Sequence, residues 1–222
     1  MKPLSKNGIL IPQLSRHLDA GRLRPLDDHN EYSQVQLTDD DLTGESASYL
    51  VFEQVILKVI IFNQSKLASL RVLDSRIEKC DFSAADWEKA HFRRVEFAGC
   101  RMLATSLLDA SFDDVFFYDC NVEGAKFISA RFKAARFEKC NLKEASFENA
   151  DLSGVVFHEC DLSHADLRGA KLARTDFRTS TINGLQAGII ELQGAIIAPA
   201  QAVQVVNLLG IKVKEDDEPD LL

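Results

Sequence analysis

No stretch of this 222-residue chain approaches 18 consecutive apolar residues, so no segment reads as a membrane-spanning helix. The stretch from Met1 to Leu14 lacks a charged start, a long apolar run and a cleavage site, so no secretory leader is expected. GxGxxG turns, phosphate-binding GxxxxGK(S/T) loops, HExxH pairs and CxxC pairs are also missing. Without them nothing directs cofactor binding or hydrolysis, and the chain reads as a non-enzyme with no cofactor and no metal. The five histidines, His17, His29, His91, His158 and His164, are scattered, although His158 and His164 flank one corner and are expected to approach each other. Cysteine is scarce as well, and reduced thiols suit the expected location, the cytoplasm.

The few cysteines are placed with unusual regularity. Cys80, Cys100, Cys120, Cys140 and Cys160 are each twenty residues from the next, so the chain returns to one place every twenty residues. Twenty is itself four fives. Every fifth residue from Leu42 to Ile197 is apolar, 32 positions in a chain that is 46% apolar, an outcome with a chance probability on the order of 10⁻¹¹. Of the 14 Phe residues, 13 fall in this phase, and Phe116 is the exception. A helix of 3.6 residues per turn would smear such a stripe around its whole circumference. A straight strand would flip it from face to face, because five is odd. A chain that turns a corner every five residues keeps the stripe inward.

Two residues before each stripe position the side chain is small in most units, as at Ala85, Ala90, Val95, Cys100, Thr105 and Ala110. Each unit therefore points one large and one small group inward and three residues outward. Segments such as Ala150-Asp151-Leu152-Ser153-Gly154 and Ala165-Asp166-Leu167-Arg168-Gly169 have the form A(D/N)LxG. On these units, over residues 37–198, the chain resembles the pentapeptide-repeat family. That resemblance implies an all-β fold, a right-handed quadrilateral parallel β-helix of about eight coils stacked roughly 4.8 Å apart. Stacked columns follow, one of them Phe97, Phe117, Phe137, Phe157 and Phe177. The phase is unbroken, so no inserted loop is expected between Leu42 and Ile197.

The ends read differently. Residues 1–36 read as an N-terminal cap, with a short helix from Pro12 to Ala20 carrying Leu14 and Leu18 and stopped by Gly21. Pro199 opens a second helix within the segment 199–213, and the acidic tail 214–222 is expected to be disordered. The QAxxxxxLLGIxV pattern of Gln201 to Val213 resembles the carboxyl end of Qnr-type quinolone-resistance proteins. That resemblance implies a homodimer, with Val203, Val206, Leu208, Leu209 and Ile211 as the dimer segment.

The cysteine column admits three chemistries: metal, disulfide or nucleophile. Zinc wants thiolates converging tetrahedrally, whereas these point one way. Stacked Cβ atoms about 4.8 Å apart lie outside the range a disulfide prefers. No activating base flanks them. Cysteine as a small hydrophobe filling the Ala slot is the better reading.

The family also includes acidic rods that imitate DNA and protect gyrase, and the net charge here is −8. The charge is not columnar, however. Arg93 and Arg94, Asp113 and Asp114, then Arg131 and Lys133 alternate in sign coil by coil, which favours pairing over a phosphate-like potential. No basic patch with interleaved aromatics predicts direct nucleic-acid binding. Phe116, out of phase, is expected to face water beside Tyr118, with Leu103 on the neighbouring face, as a contact anchor. The sequence therefore reads as a non-catalytic scaffold for an unidentified protein partner. A DNA-mimicking gyrase or topoisomerase binder is the alternative.

Overall fold

The computed structural model describes residues 5–6, 8–23, 26–208 and 210–213. Its geometry starts from the five-residue unit. In the unit around Phe82, the Ala85 N–H donates to the Phe82 carbonyl at 2.9 Å, closing a turn in which Ala84 takes φ 56°. A positive φ at the third turn residue defines a type II turn, whose left-handed site favours glycine. The units ending in LxG put glycine there, as at Gly154 with φ 77°. Gly184 has a further reason, since a Cβ on it would lie 2.5 Å from the His164 ring.

Each coil hydrogen-bonds to the next in a parallel ladder twenty residues out of step, with Phe92 opposite Phe112 and Phe117 opposite Phe137. Two of the four faces carry continuous strands, Arg71–Glu78, His91–Ala98, Ser111–Tyr118 and Arg131–Glu138. These strands bend at left-handed residues Asp74, Arg94, Asp114 and Ala134. The other two faces are joined by single bridges such as Asp81 to Arg101 and Asp86 to Ser106, apart from a short ladder of Ser46–Ser48 on Lys66–Ala68. Many of their corners begin with an aspartate that accepts the N–H two residues on, as Asp81 does from Ser83 at 2.9 Å and Asp161 from Ser163 at 3.0 Å. This side-chain turn draws those faces into tight corners.

From Leu42 to Ile182 every stripe residue is buried, which spans seven steps of twenty residues; Ala187, Leu192 and Ile197 are partly covered. The rings stack as the period predicts. Phe97–Phe117 centroids are 4.8 Å apart and Phe117–Phe137 4.4 Å, with planes within 3°. Neighbouring columns meet edge to face, as Phe92 and Phe97 do at 5.4 Å and 66°. Offset and edge contacts of this kind stabilise beyond the area they bury. Trp87, inside the rod, donates its indole N–H to Ser65 at 3.0 Å. Thr105 and Thr175, in the small inward slot, each donate to a carbonyl of the preceding coil at 2.8 Å.

Both ends depart from expectation. No helix forms from Pro12 to Ala20. Residues 11–18 are irregular, and Asp19–Gly21 is a strand paired with Val35–Thr38 at the first level. The proline and the β-branched Ile9 and Ile11 favour extended chain. The N–H groups of Leu10 and Gln13 find carboxylates of the rod instead of helix carbonyls. Leu23 and Leu26 are buried at this end, and Tyr32 stacks on Phe52 at 5.2 Å.

At the other end a 3₁₀ turn, Pro199–Gln201, leads into a single short helix, Ala202–Leu208. Gln201 seals the last coil by donating to the carbonyls of Phe177 and Ser180 at 2.8 and 2.7 Å. Just before it, residues 188–195 leave the repeat. Arg174 donates to Gly194 one residue beyond the usual register, and Leu192 closes a helical turn onto Gly188. The twenty-residue count survives, because Asp176 still bridges Ile196. The expected unbroken repeat therefore ends as a loop of equal length. The acidic tail 214–222 and Leu209 lie outside the described residues.

Candidate functional site

Phe116 leaves the coil outward, as its phase requires, but it does not meet water. It is 6% exposed, lying under Ile9, Leu10, Ile11 and Pro12 of the chain's own N-terminal segment. The segment is tied down at two corner aspartates: Leu10 N–H donates to Asp114 at 3.1 Å and Gln13 N–H to Asp74 at 3.0 Å. Three residues of extended chain cover about 10 Å, and the two coils from Asp74 to Asp114 rise about 9.6 Å, so the strap runs along the rod axis. Between those anchors Asp74 also holds Arg94 through a two-pronged ion pair, with Arg94 Nε 2.6 Å from its Oδ1. The expectation of a water-facing Phe116 is therefore corrected. The odd phenylalanine is a seat for the strap, satisfied within the chain.

Tyr118 lies 6.1 Å from Phe116, ring to ring, and keeps 36% exposure with the Lys139 ammonium 5.9 Å from its ring centre. Leu103 is half-buried at the turn after Met102. What is left of the expected aromatic anchor is thus a single tyrosine edge.

The C-terminal end is different. Val203 and Ile211 are exposed, Val206 is half-buried, and Leu208 packs partly on the core. The loop preceding the helix adds residues that the sequence reading did not single out. Ile189 is 63% exposed and Ile190 76%, the highest among the exposed large apolar residues described, and Ile196 and Val213 are exposed too. By phase Ile189 falls on an outward turn position and Ile190 in the small inward slot two before Leu192, so the repeat count does not mark the pair.

All five cysteines are free and buried. The Cys120 thiol donates to the Tyr118 carbonyl at 3.4 Å, and Cys140 does the same to Glu138. Burial and the neighbouring Cys100 thiol push the Cys80 thiol far above its ordinary range. Burial, then the flanking Cys100 and Cys140, raise Cys120 as well. These two thiols are held neutral and are poor nucleophiles, and burial shields all five from reagent. All five should stay unmodified for hours in native protein treated with a thiol reagent such as dithionitrobenzoate, and all should react at once in guanidinium. Fast native titration would contradict the packing role.

The outward charges pair across coils. Lys133 reaches Asp113 at 3.4 Å, Arg76 reaches Glu96 at 3.1 Å and Lys171 reaches Asp151 at 3.8 Å. Arg168 chelates Asp166 and holds that carboxyl below the usual range, as Arg178 does for Asp176. The two corner histidines take separate partners: His158 meets Thr179 and Glu159, while His164 lies beneath Gly184. Among the described residues no helix is long and apolar enough to cross a membrane.

A closed rod whose core is filled by its own side chains, and whose specific features are all on the outside, defines a β-helical repeat protein. Family models agree along the middle of the chain. A pentapeptide repeat region matches residues 70–147, and pentapeptide repeats in eight copies match residues 140–178. The chain belongs to the pentapeptide-repeat proteins. Among solved structures it is similar to HetL, a pentapeptide repeat protein involved in heterocyst differentiation regulation in the cyanobacterium Nostoc sp. strain PCC 7120. The identity is 22%, covering 77% of this chain and 84% of HetL, with a TM-score of 0.69, a likeness of fold. QnrB1, a plasmid-mediated fluoroquinolone resistance protein, matches at 18% identity over 82% of this chain and all of its own, but the TM-score of 0.38 carries no argument. No curated protein matches the chain.

Proposed function

We propose that this chain is a non-catalytic binding protein of the cytoplasm, that its contact surface is the C-terminal end of the rod, and that the first partner there is a second copy of itself. The observation that carries this reading is the apolar group at that end, above all Ile189 and Ile190, exposed where the repeat gives way to a loop. Exposed apolar residues gathered at one place mark contact sites. The remaining tail does not suit the role of cover, since Glu215, Asp216, Asp217, Glu218 and Asp220 are charged. A second copy brings a matching apolar end, and a two-fold contact is self-complementary by symmetry.

The gyrase-directed alternative draws no support from the rod surface. Its charges alternate in sign and several pair across coils, as above, whereas a duplex presents continuous negative potential. Ile190→Glu tests the proposal. A charge there should convert a dimer to a monomer in size-exclusion chromatography without changing the melting of the rod. A dimer that persists in Ile190→Glu would place the contact elsewhere.

A further inference from the structure

The rod contains ten arginines, and their partners are unevenly distributed. Six are ion-paired. The other four, Arg71, Arg93, Arg131 and Arg174, have no carboxylate partner among the described residues, and all four lie on one face or its corner. Four carboxylates of that face are engaged, and Glu53, one coil below Leu73, is not among them. Asp113 holds Lys133 at 3.4 Å, Asp151 holds Lys171 at 3.8 Å, Asp114 accepts the Leu10 N–H, and Asp74 is shared by Arg94 and Gln13. Unpaired guanidinium groups are therefore concentrated on one face of a protein whose net charge is −8.

The strand register brings part of that charge together. Arg71 pairs with His91, Leu73 with Arg93, and His91 in turn with Ser111. Phe92 points inward, so His91 and Arg93 both point out, about 6.6 Å apart along the strand, and Arg71 lies one coil, about 4.8 Å, below His91. The two arginines thus sit on a diagonal of about 8 Å, short enough for both guanidiniums to reach one ligand. Between them runs an open groove of about 450 Å³, lined also by Ser111, whose hydroxyl is hydrogen-bonded to His91 Nδ1, and by Asp113.

We propose that this groove binds a phosphate group, as the free ion or on a small phosphate ester. A planar carboxylate is satisfied by one guanidinium fork. Two forks approaching on a diagonal, with the His91 imidazole next to both and the Ser111 hydroxyl one coil beyond it, surround a tetrahedral oxyanion. The volume leaves room for the organic part of an ester. Asp113 is the one carboxylate in the groove, and its pairing with Lys133 offsets its repulsion of the ligand.

The test is calorimetric titration of the full-length protein at 0.15 M salt with inorganic phosphate and, separately, pyrophosphate. Both should bind saturably, pyrophosphate more tightly. Arg71→Gln and Arg93→Gln, each removing one exposed fork, should weaken pyrophosphate binding about tenfold or more. Arg178→Gln, which removes a paired arginine on another face, should leave it unchanged. Absence of saturable binding by both anions overturns the proposal. So does equal weakening in all three variants, which would show diffuse attraction to net charge.

Discussion

One residue inserted after Asp119 should abolish the wild-type unfolding transition. In the native rod the Asp119 N–H donates to the Glu138 carbonyl at 3.0 Å, and every later coil is placed by that step. One added residue moves Val122, Phe127, Phe132, Phe137 and all later stripe residues out of the inward slot and turns their outward neighbours in. A strand slip by one residue has the same consequence in any sheet with a buried face. Nearest-neighbour stacking then fails at the insertion and cannot resume in phase beyond it. Insertion of a complete twenty-residue coil copied from residues 100–119 at the same point keeps the phase and should fold, lengthening the rod by about 4.8 Å. Circular dichroism during urea unfolding distinguishes the two variants. A single-residue insertion that melts like wild type would mean that the coils do not depend on register.

Phe137→Ala should be the most damaging single substitution in the aromatic column. Phe137 is fully buried between Phe117 at 4.4 Å and Phe157 at 5.2 Å, and it meets Phe127 and Phe147 edge-on. Truncating a buried phenylalanine costs about 3–5 kcal/mol, because the cavity closes only in part. Here the neighbours are fixed by their own ladders, so collapse is limited and the upper half of that range is expected. For a chain of this size the loss corresponds to a fall in Tm of roughly 6–20 °C. Phe116→Ala should cost less, since only the strap and a few outer side chains lose contact. Parallel thermal melts of the two variants check both values, and equal losses would contradict the distinction between core and strap.

The features legible in the sequence were those that repeat. Inward burial from Leu42 to Ile182, the stacked Phe97–Phe177 column and the cysteines as packing residues all follow from a five-residue phase, because one geometric rule is sampled dozens of times. The charge alternation of Asp113 and Lys133 was legible for the same reason, as a twenty-residue offset. What was missed occurs once. The segment around Pro12 carries a helix-like apolar spacing, yet its N–H groups bond to Asp74 and Asp114, residues more than sixty positions away that no local pattern connects to it. Phe116 was recognised as out of phase, but its cover comes from that same distant segment. The loop at residues 188–195 keeps the twenty-residue count, so the phase alone gave no warning that Ile189 and Ile190 face outward. Arg71 and Arg93 look ordinary in sequence; their meaning comes from which neighbouring carboxylates are already paired.

The rod's own ladders satisfy its interior, and the apolar C-terminal end is the surface on which the functional reading depends. Sedimentation equilibrium of the full-length protein over a range of micromolar concentrations tests it most directly. The reading predicts a mass twice the 24.8 kDa of one chain, falling to 24.8 kDa when both Ile189 and Ile190 are replaced by serine. A wild-type protein that sediments as a single chain at every concentration would contradict it.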